Sequence, residues 1–256
     1  MVTGAARASS STKRQASAVR GFGRAFHDEA HGPLPALLLA LTVLAGVVDA
    51  VSILRLGHVF VATITGNLVF IGLAAAGAKG FAVGTSALAV GGFVIGVVTG
   101  GRACEGASSH RGLALRNVLA VKLGLACVVT LIAILTGPHF PRGARDAMLV
   151  LLAMSMGDQL AAIRFLKVPD LLTVVLTMTL TGVITERKRG WHDPAMLRRG
   201  LSLVAFAVGA LSGALLILYV GTSAALLLGL AIIVATTIAA HRVSRTPASW
   251  AAPRPA

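Results

Sequence analysis

The sequence predicts an all-α protein, a polytopic bundle of transmembrane helices with about eight spans arranged as two tandem four-helix repeats; six or seven spans are also compatible. Three observations carry this. The 256 residues are 56% hydrophobic and 12% charged, with a mean hydropathy of +0.85, whereas about a quarter of an ordinary soluble domain is charged. The apolar residues fall in eight long runs, at about 34–54, 59–78, 81–100, 117–136, 147–166, 168–185, 199–219 and 222–240. Finally, a polar motif in the first two runs recurs about 110 residues later. Continuous runs of this kind do not suit a β-barrel, whose strands alternate over roughly ten residues.

In chain order, residues 1–32 are rich in Ser, Ala and Gly, carry Arg7, Lys13, Arg14, Arg20 and Arg24, and read as a disordered cytoplasmic tail. The run that follows is too long for the apolar region of a cleaved signal peptide and contains an Asp, so a retained first helix is expected. Residues 33–137 form the first transmembrane repeat, 138–241 the second and 242–256 a loose end. Gly57, Gly80, Gly137, Pro138, Pro141, Pro169 and Gly221 punctuate the short joins, which make neighbouring spans antiparallel.

The net charge of +14 follows from Lys and Arg in the tail and loops, the positive-inside bias, and does not call for nucleic acid. With eight spans, sixteen Lys or Arg lie on the side of the tail and six on the other. Both termini are then cytoplasmic, and the loop 101–116, with Arg102, Arg111 and Arg116, is left on the minority side. Should a motif segment dip in and return, the count falls toward six and that loop changes sides. Lys122, placed near the start of the fourth run, is expected to reach the headgroups. Arg198 and Arg199 are expected to face anionic headgroups, and Trp191, Tyr219 and Trp250 to sit at the interface.

The motif pairs GVVDAVSILR at 46–55 with MGDQLAAIR at 156–164, aligning Asp49 with Asp158 and Arg55 with Arg164. Thr65-Gly66-Asn67 then answers Thr177-Met178-Thr179. Four spans between the copies would give the halves one orientation, with an axis along the membrane normal, and an odd number would invert them. Asp49 and Asp158 are the only acids well inside apolar runs. Such groups belong in the bundle interior, as a proton or cation relay or as interhelical hydrogen-bonding groups. Each arginine lies six residues from its acid, a turn of roughly 240°, so an ion pair on one helix face is excluded; snorkelling is the simpler role for the arginines.

Thr173, Thr177 and Thr181 share a helix face, as do Thr63 and Asn67. These side chains either bond back to their own helix or a neighbouring one, or line a cavity, with Gly66 marking a looser turn. Gly92, Gly96 and Gly100, and likewise Gly209 and Gly213, have the spacing of close helix packing. Two cysteines and seven scattered histidines supply no metal site, and no catalytic or nucleotide-binding motif is present. No cofactor and no enzyme activity are expected.

At GVVDAVSILRLGHVFVATITGNLV the chain resembles the YoaK-like family of bacterial integral membrane proteins, a domain of unknown function, over about residues 34–240. MGDQLAAIR and VPDLLTVVLTMTLTG resemble the family's second signature. The chain departs from it at Met178, where glycine is expected, and at Leu160, where a small amide residue is expected after Gln159. The resemblance implies a bacterial inner-membrane protein and supplies no substrate.

The leading functional expectation is a small secondary transporter or permease. In it Asp49 and Asp158, with Gln159 beside the latter, carry a coupling proton or cation, and Thr63, Thr65, Gly66, Asn67, Thr173, Thr177 and Thr179 line the path of a small solute. The expected surroundings are the lipid bilayer, with a second copy of the chain an admissible partner. The alternative is a non-transporting scaffold or accessory subunit whose polar motifs serve helix packing.

Overall fold

The computed structural model describes Phe26 and residues 31–107, 110–168, 171, 176–185, 193–245 and 249–252. Among the described residues there are eight α-helices and no strand: α1 (Leu34–Arg55), α2 (Ile64–Ala75), α3 (Val83–Glu105), α4 (Arg111–Thr136), α5 (Arg142–Leu166), α6 (Leu176–Thr185), α7 (Pro194–Tyr219) and α8 (Thr222–Ser244). Six of them, α1, α3, α4, α5, α7 and α8, are long and apolar enough to cross a membrane.

Local sequence explains where these helices begin and end. Prolines stand in the first turns of α1 and α7, where a missing N–H costs nothing. The Asp193 carboxylate accepts from the Ala195 N–H at 2.9 Å, and His110 Nδ1 accepts from the N–H groups of Gly112 and Leu113, so α7 and α4 start on side-chain caps. α4 gives way at Gly137 and α8 starts after Gly221, both at positive φ.

α1 is the most buried of the crossing helices, and α5 follows it. The outer helices turn Val94, Ile95 and Val98 of α3, and Val204, Val208 and Leu211 of α7, outward. Lipid solvates such side chains, so they carry none of the cost of apolar surface in water. Inside, the two largest interfaces are α3 on α5 and α1 on α7. Both depend on glycine. A Cβ on Gly96 would fall on the Met154 carbonyl, one on Gly209 on the Val43 carbonyl, and Gly46 and Gly157 lie as tightly on the carbonyls of Phe206 and Phe93. Gly92 and Gly100 meet Val150 and Asp158, and Gly213 meets Val47. In each interface the numbers rise together, so the paired helices run parallel.

The helix ends define two faces. On the amino-terminal face, Gly32 lies against Trp250, Gly112 against Ser244, and Arg111 donates to the carbonyls of Leu166 and Trp250. On the opposite face, Arg55 donates to the Pro138 carbonyl and covers the Phe140 ring, Gly57 touches Thr85, and a hollow of about 260 Å³ joins Arg55 and Pro138 to Ile217–Thr222. α3 therefore begins on the face where α1 ends. The intervening 57–82 leaves and re-enters one face, and α2, with 12 residues, is about 18 Å long against a hydrocarbon core of about 30 Å. α6, with 10 residues, lies in the connection from α5 to α7, which starts and finishes on the amino-terminal face.

These observations correct several expectations. Among the described residues six helices, not eight, are long enough to cross, the low end of the expected range, and α2 and α6 are too short to do so. Three of these helices precede α5, so α5 runs opposite to α1, against the single orientation expected for the two motif-bearing helices. The loop 101–116 comes to the amino-terminal face. At the carboxyl end Ser249–Ala251 forms a 3-10 turn, Ala251 is buried, and Trp250 packs on Gly32 at the amino-terminal face. Arg111 and Arg198 are buried instead of exposed.

Candidate functional site

The stretch 57–63 between α1 and α2 is non-helical, with Val59, Val61 and Ala62 buried, so the backbone polar groups there need partners. Three side chains supply them. Asp49 Oδ1 accepts from the N–H groups of Val61 at 3.0 Å and Ala62 at 2.9 Å, while the Thr63 hydroxyl approaches Oδ2 at 3.4 Å. Ser52 donates to the Val59 carbonyl at 2.8 Å. The Asn67 amide accepts from Phe60 N–H at 2.9 Å and donates to the Phe60 carbonyl at 2.5 Å. Gly66 lies against the Phe60 ring, which stacks on Phe70. The first motif is thus a fastener that lets an extended strip fold back along α1 without orphaned amides.

The second polar centre is different. Asp158 is fully buried on α5, against Gly100 of α3. Its Oδ1 accepts from the Thr99 hydroxyl at 3.1 Å, and its Oδ2 has no hydrogen-bond partner. One turn earlier on the same face, the carbonyl and hydroxyl of Ser155 accept from Lys122 Nζ at 2.8 and 2.9 Å. Lys122 is fully buried, which corrects the expectation that it reaches the headgroups. The apolar run begins at 117, but α4 starts at Arg111, so Lys122 stands about 16 Å into the helix, beyond snorkelling reach. Gln159 reaches across to the Leu41 carbonyl of α1 at 3.2 Å.

The two aspartates do not meet. Asp49 lies about 9 Å from the opposite-face end of α1 and Asp158 about 12 Å from the amino-terminal-face end of α5, by helix rise, and no side chain described above bonds both. Nor do they match in packing: Asp158 faces Gly100 as Val47 faces Gly213, which leaves Leu160 as the counterpart of Asp49. The central cavity, about 20 Å³ and room for one water, is lined by Val47, Val51, Val129, Thr130, Leu152 and Ser155 among others, and by neither aspartate.

The threonines divide. Thr63 and Thr65 are exposed, and Thr177 is exposed while Thr179 is buried. Thr181 and Thr185 donate to the Thr177 and Thr181 carbonyls at 2.9 Å, so this stripe bonds back along its own helix. Thr173 lies outside the described residues. Among the described residues no cluster of His, Cys, Asp or Glu could hold a metal ion. Sequence reasoning missed Lys122, Ser155 and Thr99; a lysine whose neighbours are apolar for several residues on both sides was the available signal.

Comparison with known proteins gives the chain a family and no activity. Residues 37–239 match the family described as "Protein of unknown function (DUF1275)". The chain is 31% identical over 193 residues to the UPF0700 transmembrane protein YoaK of Bacillus subtilis (strain 168), covering 70% of this chain and 82% of that protein. No solved structure matches. With a family match across most of its length and its helices long and apolar enough for a bilayer, the chain belongs to the DUF1275 family of multi-pass, YoaK-like membrane proteins.

Proposed function

We propose that the protein is a small secondary transporter or permease for a small solute in the bacterial inner membrane, built from two inverted halves of three crossing helices and one short helix each. The carrying observation is the reciprocal pairing of α1 with α7 and of α3 with α5. Gly46 sits on Phe206 as Gly157 sits on Phe93, and Thr99 bonds back to Gly96 as Ser212 does to Gly209. Halves that repeat one packing register in opposite directions, with broken helices entering from opposite faces, are the arrangement on which rocking transporters operate.

Charge supports a cytoplasmic amino-terminal face. The chain segments attached there carry eighteen of the 23 Lys and Arg, the opposite face carries Arg55, Lys79, Arg142 and Arg145, and Lys122 is interior. This imbalance exceeds that of the eight-span arrangement and needs no exception at the 101–116 loop. In this reading Asp49 and Asn67 keep the first hairpin closed against α1, and coupling falls to Asp158.

The test is solute-driven current or uptake in proteoliposomes, screened over small metabolites after a thermal-shift survey. Uptake that collapses in Asp158→Asn and survives in Asp49→Asn is expected; a protein that moves nothing across the library argues for the second reading. That reading, a non-transporting scaffold or accessory subunit, is favoured by one observation, the nearly filled centre of the bundle.

A further inference from the structure

Lys122 and Asp158 are fully buried ionisable groups on neighbouring crossing helices, α4 and α5. A charged side chain in a bilayer interior costs several kcal/mol unless it is paired or serves a purpose. Ser155 accounts for two of the three Lys122 N–H groups. Asp158 is worse served: one oxygen takes the Thr99 hydroxyl, and the other meets no donor. Lys122 and Asp158 fall within electrostatic reach without touching, held apart by the helical turn from Ser155 to Asp158. Had the two been selected only to neutralise each other, direct contact would serve better.

We propose that Asp158 is a proton-carrying site of this protein, with Lys122 its buried internal counter-charge. This rests on the permease reading for its purpose and names the coupling ion as the proton. The vacant Oδ2 lone pair takes a proton from hydronium, forming one O–H bond and releasing one water, and returns it to water in the reverse step. Sodium fits poorly. A metal cation needs several oxygens, whereas here Thr99 supplies one hydroxyl, shared between Asp158 and the Gly96 carbonyl, and an ammonium stands nearby. A proton needs only the free lone pair. The other titratable group close to the carboxylate is Cys104 of α3, one turn beyond Gly100 and itself buried. Asp49, by contrast, is already committed to the 57–63 backbone.

Modification by N,N′-dicyclohexylcarbodiimide, which attacks protonated carboxyls in apolar surroundings, tests this on the full-length protein in nanodiscs, with labelled peptides read by mass spectrometry. Labelling at Asp158 is expected to fall as pH rises, to be absent in Asp158→Asn, and to be unaffected by exchanging potassium for sodium. Removing the ammonium in Lys122→Met takes away a charge that opposes protonation, so labelling should persist to higher pH than in the parent; Lys122→Arg should keep the parent profile. Absence of Asp158 label at every pH, protection by sodium, or a Lys122→Met profile coincident with the parent's overturns the proposal. If Lys122→Met does not fold, Lys122→Gln, checked by thermal melt, takes its place. Because labelling needs no flux, a protein that labels as expected but moves no solute refutes the permease and leaves the proton site standing.

Discussion

The Asn67 side chain bonds to Phe60 in both directions, accepting from its N–H at 2.9 Å and donating to its carbonyl at 2.5 Å. An amide side chain here does what a neighbouring strand does elsewhere, for a single residue of extended backbone.

Asn67→Leu therefore strips two part-buried backbone groups of Phe60 of partners, at about 1–3 kcal/mol each. A loss of roughly 2–5 kcal/mol is expected in reversible unfolding from mixed micelles. Asn67→Asp keeps the acceptor and loses the donor, so it should fall between parent and Leu. Equal stability of all three would mean that water, not Asn67, serves Phe60.

At Asp49 the geometry separates two roles. Asp49→Asn retains an oxygen that can take the Val61 and Ala62 N–H groups, so under about 1 kcal/mol should be lost. Asp49→Ala orphans both donors and should cost roughly 2–5 kcal/mol on the same scale. If Asp49→Asn proved as damaging as Asp49→Ala, the carboxylate charge itself would matter and the fastener account would fail.

Close helix contact predicts a graded glycine series. Gly96 and Gly209 rest on the carbonyls of Met154 and Val43, whereas nothing stands within 4 Å of a Cβ at Gly91 or Gly101. Gly96→Ala and Gly209→Ala should each destabilise by about 1–3 kcal/mol through forced separation of backbones. Gly91→Ala, on the open side of the same helix, should be neutral or slightly stabilising, because alanine favours the helix by about 1 kcal/mol. Unfolding of the three variants beside the parent gives the ranking.

The bilayer class, the helical content and the packing glycines were legible because each rests on composition or fixed spacing, which local chemistry dictates. The hairpins were not. Ile64–Ala75 is as apolar as a span, and what turns it back is the hold of Asp49, Ser52 and Asn67 on residues 59–62, a long-range arrangement that hydropathy cannot register. The same polar residues read equally well as a binding site, since a side chain that satisfies backbone and one that grips a ligand have the same chemistry. Aligning Asp49 with Asp158 followed residue identity, whereas the packing follows Gly46 and Gly157, whose missing side chains decide how near α7 and α3 can come. Lys122 was misjudged because a helix start moved by six residues changes its depth by about 9 Å.

Topology gives the sharpest remaining prediction. With eight spans, Lys79 would share the side of the amino terminus and the loop after Glu105 would lie across the membrane; with six crossings and a returning hairpin, the two exchange sides. In a background carrying Cys104→Ala and Cys127→Ala, a cysteine at Lys79 should react with an impermeant maleimide added outside intact cells. One at Gly106 should react only after the membrane is opened. The Gly57 contact with Thr85 makes the result depend on whether α1 ends where α3 begins. Should Lys79→Cys prove inaccessible from outside while Gly106→Cys is labelled, with a cysteine in the amino-terminal tail also inaccessible from outside, α2 would have to traverse the bilayer, the halves would share one orientation, and the inverted arrangement behind the permease reading would be lost.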